Sequence, residues 1–165
     1  MRLRIVATGG TLDKRYDLLK GELAFGDSHV AEMLARARVA LPVTIEVLPL
    51  LDSLDMVDAD RERVAHACKA SAETRVVVVH GTDTMCDTAR VVARALEGET
   101  AARTIVFTGA MIPYNVADSD ALFNLGFACA AAQLQSAGTW VAINGQVFAF
   151  DQVHKDRSRG VFVAN

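Results

Sequence analysis

Residues Val76–Leu96 read VVVVHGTDTMCDTARVVARAL and pass through three patterns without a break. Val76–Val79 is a β-branched run with no polar alternation, the pattern of a strand covered on both faces. Ala89, Val92, Ala93 and Leu96 then recur at helical spacing, with Arg90 and Arg94 on another face. Between strand and helix stand His80-Gly81-Thr82-Asp83-Thr84, two hydroxyls and a carboxylate where a buried strand ends. Such groups either cap the next helix or face a ligand beyond the sheet edge.

The same unit repeats outward. Apolar runs at Leu3–Ala7, Val43–Leu48, Thr104–Phe107 and Trp140–Ile143 alternate with helical patterns at His29–Val39, Asp58–Glu73, Thr84–Leu96 and Ser119–Ala137. Strand followed by helix, repeated, predicts an α/β fold. Its sheet is doubly wound and mostly parallel, flanked by helices as a Rossmann-like or flavodoxin-like three-layer sandwich with right-handed crossovers. Val43–Leu48 (VTIEVL) alternates apolar with polar, which places it nearer a sheet edge. No Pro/Gly-rich linker or internal repeat divides residues 1–165, so a single domain is expected. Two segments depart from the scheme. Gly10–Asp27 (GTLDKRYDLLKGELAFGD) is polar and has no clean period, as in a functional loop or lid. Asp151–Arg159 is charged before GVFVA resumes an apolar run.

Composition narrows the function. The 165 residues are 52% hydrophobic and 22% charged, enough to build a core. A net charge of −3 argues against nucleic acid as a partner. No apolar run approaches the roughly 20 residues that span a bilayer, and MRLRIVATGGTLDKR is too brief in its apolar part for a signal peptide. Cys68, Cys86 and Cys129 are odd in number and widely spaced, which disfavours disulfides and zinc. His29, His66 and His154 have no ligand-like partners, so no metal or cofactor is expected. The default location is cytoplasmic.

Ligands of open α/β sheets collect at the carboxyl ends of the strands. Those ends carry Thr8-Gly9-Gly10-Thr11, Asp52-Ser53-Leu54-Asp55, His80-Gly81-Thr82-Asp83-Thr84 and Thr108-Gly109-Ala110-Met111, and the fifth leads through Asn144-Gly145 towards Lys155. TGGT is not G-x-G-x-x-G and GTDT lacks the lysine of a P-loop, while Asp83 would repel phosphate. A hydrolase uses these residues better. A threonine hydroxyl attacks only after a base or polarising neighbour activates it, and Asp83 and Lys155 are the candidate neighbours of Thr82. A carboxylate favours charged lysine, whereas a general base must be neutral, so burial would have to work against the ion pair.

In order and spacing, ATGGTLDK, DSLDM, HGTDTMCDTA and TGAMIP resemble the bacterial-type L-asparaginase/glutaminase family, with TGGT and HGTDT as its two signature segments. The resemblance spans nearly the whole chain and corresponds to the family's amino-terminal domain. It implies an amidohydrolase that converts L-asparagine to L-aspartate and ammonia through an acyl-threonine. By the same resemblance Thr11 is the nucleophile, assisted by Tyr16. Thr82, Asp83 and Lys155 form the second catalytic group, Lys155 aligning through AINGQVFAFDQVHKDRS. Ser53 takes the substrate's α-carboxylate, Asp83 also receives its α-ammonium, and the Ala110 carbonyl orients the amide. Gly10, Asp52 and Gly81 complete the substrate-binding set. The family's habits suggest a homodimer or homotetramer.

The physical fit agrees. Asp83 supplies an anion for an ammonium, and Ser53 with the backbone at Gly81–Thr82 supplies donors for a carboxylate, beside a helix start at Thr84. An oxyanion needs donors such as backbone N–H groups near Gly10–Thr11 or the Thr82 hydroxyl. Leu54 departs from the polar residue that many full-length members carry there. Those members also complete each site from a neighbouring subunit's carboxy-terminal domain, so a short form is expected to complete it differently or incompletely.

Other residues are read more plainly. His80 satisfies backbone groups at a strand end, Asp118 and Asp120 cap a helix, and Asp13 and Lys14 are solvated loop charges. Arg36, Arg38, Arg61 and Arg63 lie on solvated helix faces, and Cys86 packs its helix. Two other classes remain: a catalytically weak or inactive amino-acid-binding module that retains the pocket, and a nucleotide-binding α/β domain.

Overall fold

The computed structural model describes residues 1–99 and 102–165. Its strands are β1 (Leu3–Gly9), β2 (Lys14–Asp17), β3 (Glu22–Phe25), β4 (Val43–Leu51), β5 (Arg75–Val79), β6 (Thr104–Thr108), β7 (Gly138–Ile143), β8 (Gln146–Ala149), β9 (Val153–Asp156) and β10 (Val161–Ala164). Its helices are α1 (Val30–Arg36), α2 (Asp58–Ala70), α3 (Met85–Ala95) and α4 (Ala121–Leu134).

Six strands form the central sheet in the order β4-β1-β5-β6-β7-β8. β4, β1, β5, β6 and β7 run parallel, and β8 joins antiparallel to β7. Alternate residues leave the sheet on opposite faces. Leu3, Ile5, Val77, Val79, Val106 and Ala142 pack under α1 and α4. Val6, Val76, Val78, Ile105, Phe107 and Ile143 pack under α2 and α3. Both faces are covered, which is why the valine run needs no polar alternation. Each fully buried Val, Leu, Ile or Phe side chain among them contributes about 1.5–3 kcal/mol relative to its exposed state.

The doubly wound, mostly parallel sheet matches the sequence reading, as does the edge position of β4, where Pro49 is tolerated. Other expectations need correction. Gly10–Asp27 is not an irregular loop: a short 3-10 turn at Thr11–Asp13 leads into the antiparallel hairpin β2–β3. Asn144-Gly145 has φ of +53° and +74° and turns the chain directly into β8. Helix α1 is shorter than expected and ends at Arg36, because Arg38 adopts φ +53°. The GVFVA run forms β10 and pairs with β9 in a two-stranded sheet of its own. Among the described residues no helix is long and apolar enough to cross a membrane.

Candidate functional site

In the sheet order β4 lies on one side of β1 and β5 on the other. Connections leaving β1 and β5 therefore diverge and open a crevice at their carboxyl ends, the switch point at which such sheets bind ligands. Thr11 follows β1 and Thr82 follows β5.

Glycines bring these turns into contact. Gly10 adopts φ 75°, ψ −178°, a region essentially confined to glycine. A Cβ there would overlap the Gly81 backbone. A Cβ on Gly81 would in turn stand 2.6 Å from both Cβ and Oγ of Ser53, and one on Gly109 would overlap the His80 carbonyl. The four turns that carry Thr11, Ser53, Thr82 and Ala110 are thus packed backbone against backbone. Thr84 fastens two of them: its hydroxyl donates to the Ser53 carbonyl at 2.8 Å rather than capping α3.

Lys155 reaches this cluster from β9. Its Nζ donates to Thr82 Oγ1 at 2.7 Å and to Asp83 Oδ1 at 3.0 Å. The Lys155 side chain is 11% exposed and that of Asp83 30%, with Arg157 Nη2 further off at 4.0 Å from the same oxygen. Thr82 is buried, its hydroxyl polarised by an ammonium. Among the described residues the buried Ser53 hydroxyl has no hydrogen-bond partner, a cost of about 1–3 kcal/mol for a lone polar group. Thr11 is half-buried and Ala110 fully buried. The Gly10 N–H is committed to the Leu51 carbonyl at 2.9 Å, so it is not free as an oxyanion donor. Tyr16 stands 57% exposed on β2, opposite Leu23, with its hydroxyl near Gly21 at the hairpin turn.

Three charges read as solvated are not. Asp13 is buried and accepts from the Ser28 hydroxyl at 3.0 Å and the His29 N–H at 2.8 Å, closing the base of the β2–β3 hairpin. Burial pushes its carboxyl above the usual range, opposed by those two donors. Lys14 pairs with Asp52 at 2.5 Å, tying the segment that carries Thr11 to the turn that carries Ser53. The Lys14 hydrogen bond holds the Asp52 carboxyl below its usual range against partial burial, aided by the Leu54 N–H. Arg61 likewise donates to the hydroxyls of Thr84 and Thr88 and to the Met56 carbonyl instead of facing solvent. His80 satisfies the backbone as expected, through Nδ1 to the Gly81 carbonyl at 2.8 Å. Because a carbonyl only accepts, Nδ1 carries the proton. Burial lowers the imidazole pKa to about 4, so the ring is neutral at pH 7.

Asp120 does not cap α4 with its side chain. It turns back to accept the N–H groups of Met111 and Ile112 at 3.0–3.1 Å, fixing the turn beyond Ala110. Asn124, one helical turn on, donates to Asp120 and to the Gly109 carbonyl. These roles escaped sequence reasoning, although the i, i+4 spacing of Asp120 and Asn124 and the Asn-Gly turn signal were both visible.

A family model described as "Asparaginase, N-terminal" matches residues 2–162. Comparison with curated proteins gives no significant match. Among solved structures, the thermostable L-asparaginase from Thermococcus kodakarensis superposes with a TM-score of 0.86 at 24% identity, covering 99% of this chain and 51% of its own. L-asparaginase I from Vibrio cholerae gives 0.84 at 23% identity, over 99% and 51%. The probable cytoplasmic L-asparaginase from Campylobacter jejuni gives 0.82 at 27% identity, over 99% and 52%. The first two likenesses establish the fold alone, and the chain spans about half the length of all three.

Proposed function

We propose that this chain, which belongs to the asparaginase family, is an amidohydrolase that converts L-asparagine to L-aspartate and ammonia through an acyl-threonine on Thr11. The observation that carries the reading is the Lys155–Thr82–Asp83 group, held at the switch point across the Gly10–Gly81 contact from Thr11.

The geometry supports the following roles. Lys155 occupies Asp83 Oδ1, which leaves Oδ2 to receive the substrate's α-ammonium. The unpartnered Ser53 hydroxyl is placed to donate to the α-carboxylate, which would relieve its burial cost. Thr82 Oγ1 accepts from Lys155, so its own proton is free to donate to the oxygen that becomes anionic. Thr11 Oγ attacks the amide carbon and its proton passes to the amide nitrogen, which departs as ammonia. Water then adds to the aspartyl ester, returns a proton to Thr11 Oγ and releases aspartate. Tyr16, on the hairpin that follows Thr11, is the assisting group in this reading, and no cofactor is used. A cytoplasmic homo-oligomer accompanies the proposal, supported by the half-exposed Phe123–Phe127 stack on α4, with ring centroids 6.1 Å apart.

The test is ammonia release from L-asparagine by the wild-type protein and by Thr11→Ala. Release abolished in the variant supports the reading. Equal release from both removes Thr11 from the mechanism. Binding of asparagine or aspartate with no release from either would make the chain an amino-acid-binding module.

A further inference from the structure

Lys155 is delivered by a hairpin that, among the described residues, no ladder joins to the central sheet. Its placement against Thr82 therefore depends on other anchors. Val153 and Phe162, one on each strand, are fully buried and belong to the same hydrophobic cluster as Ile143, Val141 and Met85. Apolar packing of this kind holds the hairpin down but does not fix its register, because dispersion contacts are individually weak and non-directional. Directional bonds have to do that.

They form one chain. The Phe162 N–H donates to Asn144 Oδ1 at 3.1 Å, and Phe162 is the residue opposite Lys155 in the β9–β10 ladder. The Asn144 N–H donates to Asn124 Oδ1 at 3.1 Å. Asn124 Nδ2 donates to the Gly109 carbonyl at 3.0 Å and to Asp120 Oδ2 at 2.9 Å. Asp120 accepts the N–H groups of Met111 and Ile112. Asn124 is fully buried and uses its oxygen and both amide protons. Exchanging its O and N would set donor against donor at Asn144 and acceptor against acceptor at Gly109 and Asp120, so the orientation is dictated by the partners. Asn144 sits at φ +53°, a conformation in which asparagine is enriched. Only a residue that tolerates this turn and also carries a side-chain acceptor can both reverse the chain into β8 and hold Phe162.

We propose that Asn144 is a positioning residue for Lys155, acting through Phe162, and that Asn124 sets the Lys155 hairpin and the Gly109–Ile112 turn to one register. Neither asparagine need touch substrate. The inference rests on the reading of Lys155 as part of the reacting group. It adds that the group's geometry is set by a polar relay running from the turn beyond β6, through α4 and the β7–β8 turn, to the carboxy-terminal hairpin.

Two variants separate this from a general structural role. Asn144→Gly keeps the positive φ and removes the acceptor, whereas Asn144→Asp keeps both an acceptor and tolerance of the turn. Backbone hydrogen exchange at Phe162 and the titration of Lys155, followed through its ¹³Cε resonance, are compared with steady-state ammonia release. In Asn144→Gly, Phe162 should lose protection and Lys155 should titrate away from its wild-type value. The kcat should fall about ten- to a hundredfold, the scale set by ångström-level misplacement of a reacting group, with KM little changed. Asn144→Asp should keep Phe162 protected and stay far closer to wild type in kcat. The proposal is overturned if Asn144→Gly leaves the Lys155 titration and kcat at wild-type values, or if the two variants are equally impaired. It is also overturned if only the melting temperature moves. Should wild type release no ammonia, the amidohydrolase reading fails, and the exchange and titration data still decide whether Asn144 positions Lys155.

Discussion

Replacing Gly10 with alanine should separate the two threonine-bearing turns, and the cost can be worked out from two terms. The first is conformational: at φ 75°, ψ −178° any side chain is strained, at about 1–3 kcal/mol. The second is steric. The new methyl would overlap the Gly81 backbone and stand 2.9 Å from the His80 carbonyl carbon. Backbone cannot rotate away as a side-chain tip can, so an overpacking cost of about 1–3 kcal/mol applies. The sum, about 2–6 kcal/mol, corresponds to a fall of roughly 4–24 °C in melting temperature for a chain of this size. Two controls isolate the terms. Gly98 also has a positive φ, +77°, and a Cβ there meets nothing within 4 Å among the described residues, so Gly98→Ala should show a positive-φ cost without the steric one. Gly126 lies within α4 with open space around it, so Gly126→Ala should be neutral or stabilise by about 0.4–1 kcal/mol. Urea unfolding of the three variants gives the ranking, and ammonia release shows whether Gly10→Ala also loses activity. A Gly10→Ala protein within about 1 kcal/mol of wild type, or no less stable than Gly98→Ala, would refute the interlocked-turn account.

Three further outcomes are expected. Ser53→Ala should leave stability unchanged or raise it, because it removes a buried hydroxyl with no partner; KM for asparagine should rise, and an unchanged KM would take the hydroxyl out of substrate binding. Lys155→Met preserves the aliphatic stem but leaves the Thr82 hydroxyl without its donor and Asp83 with only the more distant Arg157, so kcat should fall by about 10²–10⁴, read from initial rates of ammonia release. For His80 the native value of about 4 lies below the ordinary 6.5, so the unfolded chain binds the proton first. Stability should fall as pH drops from 6.5 towards 4, by about 3 kcal/mol at 1.36 kcal/mol per pH unit. His80→Asn, which can keep a donor to the Gly81 carbonyl, should flatten that slope in pH-dependent urea titrations; an unchanged slope would assign it to other groups.

The architecture was legible because its cause is local: a strand covered on both faces shows as an unbroken apolar run, as in Val76–Val79. Thr82 and Asp83 at the end of β5 were legible for a different reason, since the short segment HGTDT marks them, whereas Lys155 was reached only through the longer and looser AINGQVFAFDQVHKDRS. What escaped depends on long-range contact. Nothing near Asp13 announces that Ser28 and His29 will enclose it. Lys14 resembles any loop lysine until β4 brings Asp52 beside it. Asn124 lies on an Ala-rich helix face that reads as packing, and its polar role depends on where Gly109 and Asn144 arrive. The β2–β3 hairpin was missed because KRYD and ELAF are short and carry no apolar period.

The most direct test of the central claim is to quench the protein during turnover of L-asparagine and map any covalent adduct by peptide mass spectrometry. The account expects an aspartyl ester on Thr11, absent from Thr11→Ala and not found on Thr82. An ester on Thr82, or ammonia release unchanged in Thr11→Ala with no adduct on any residue, would contradict it.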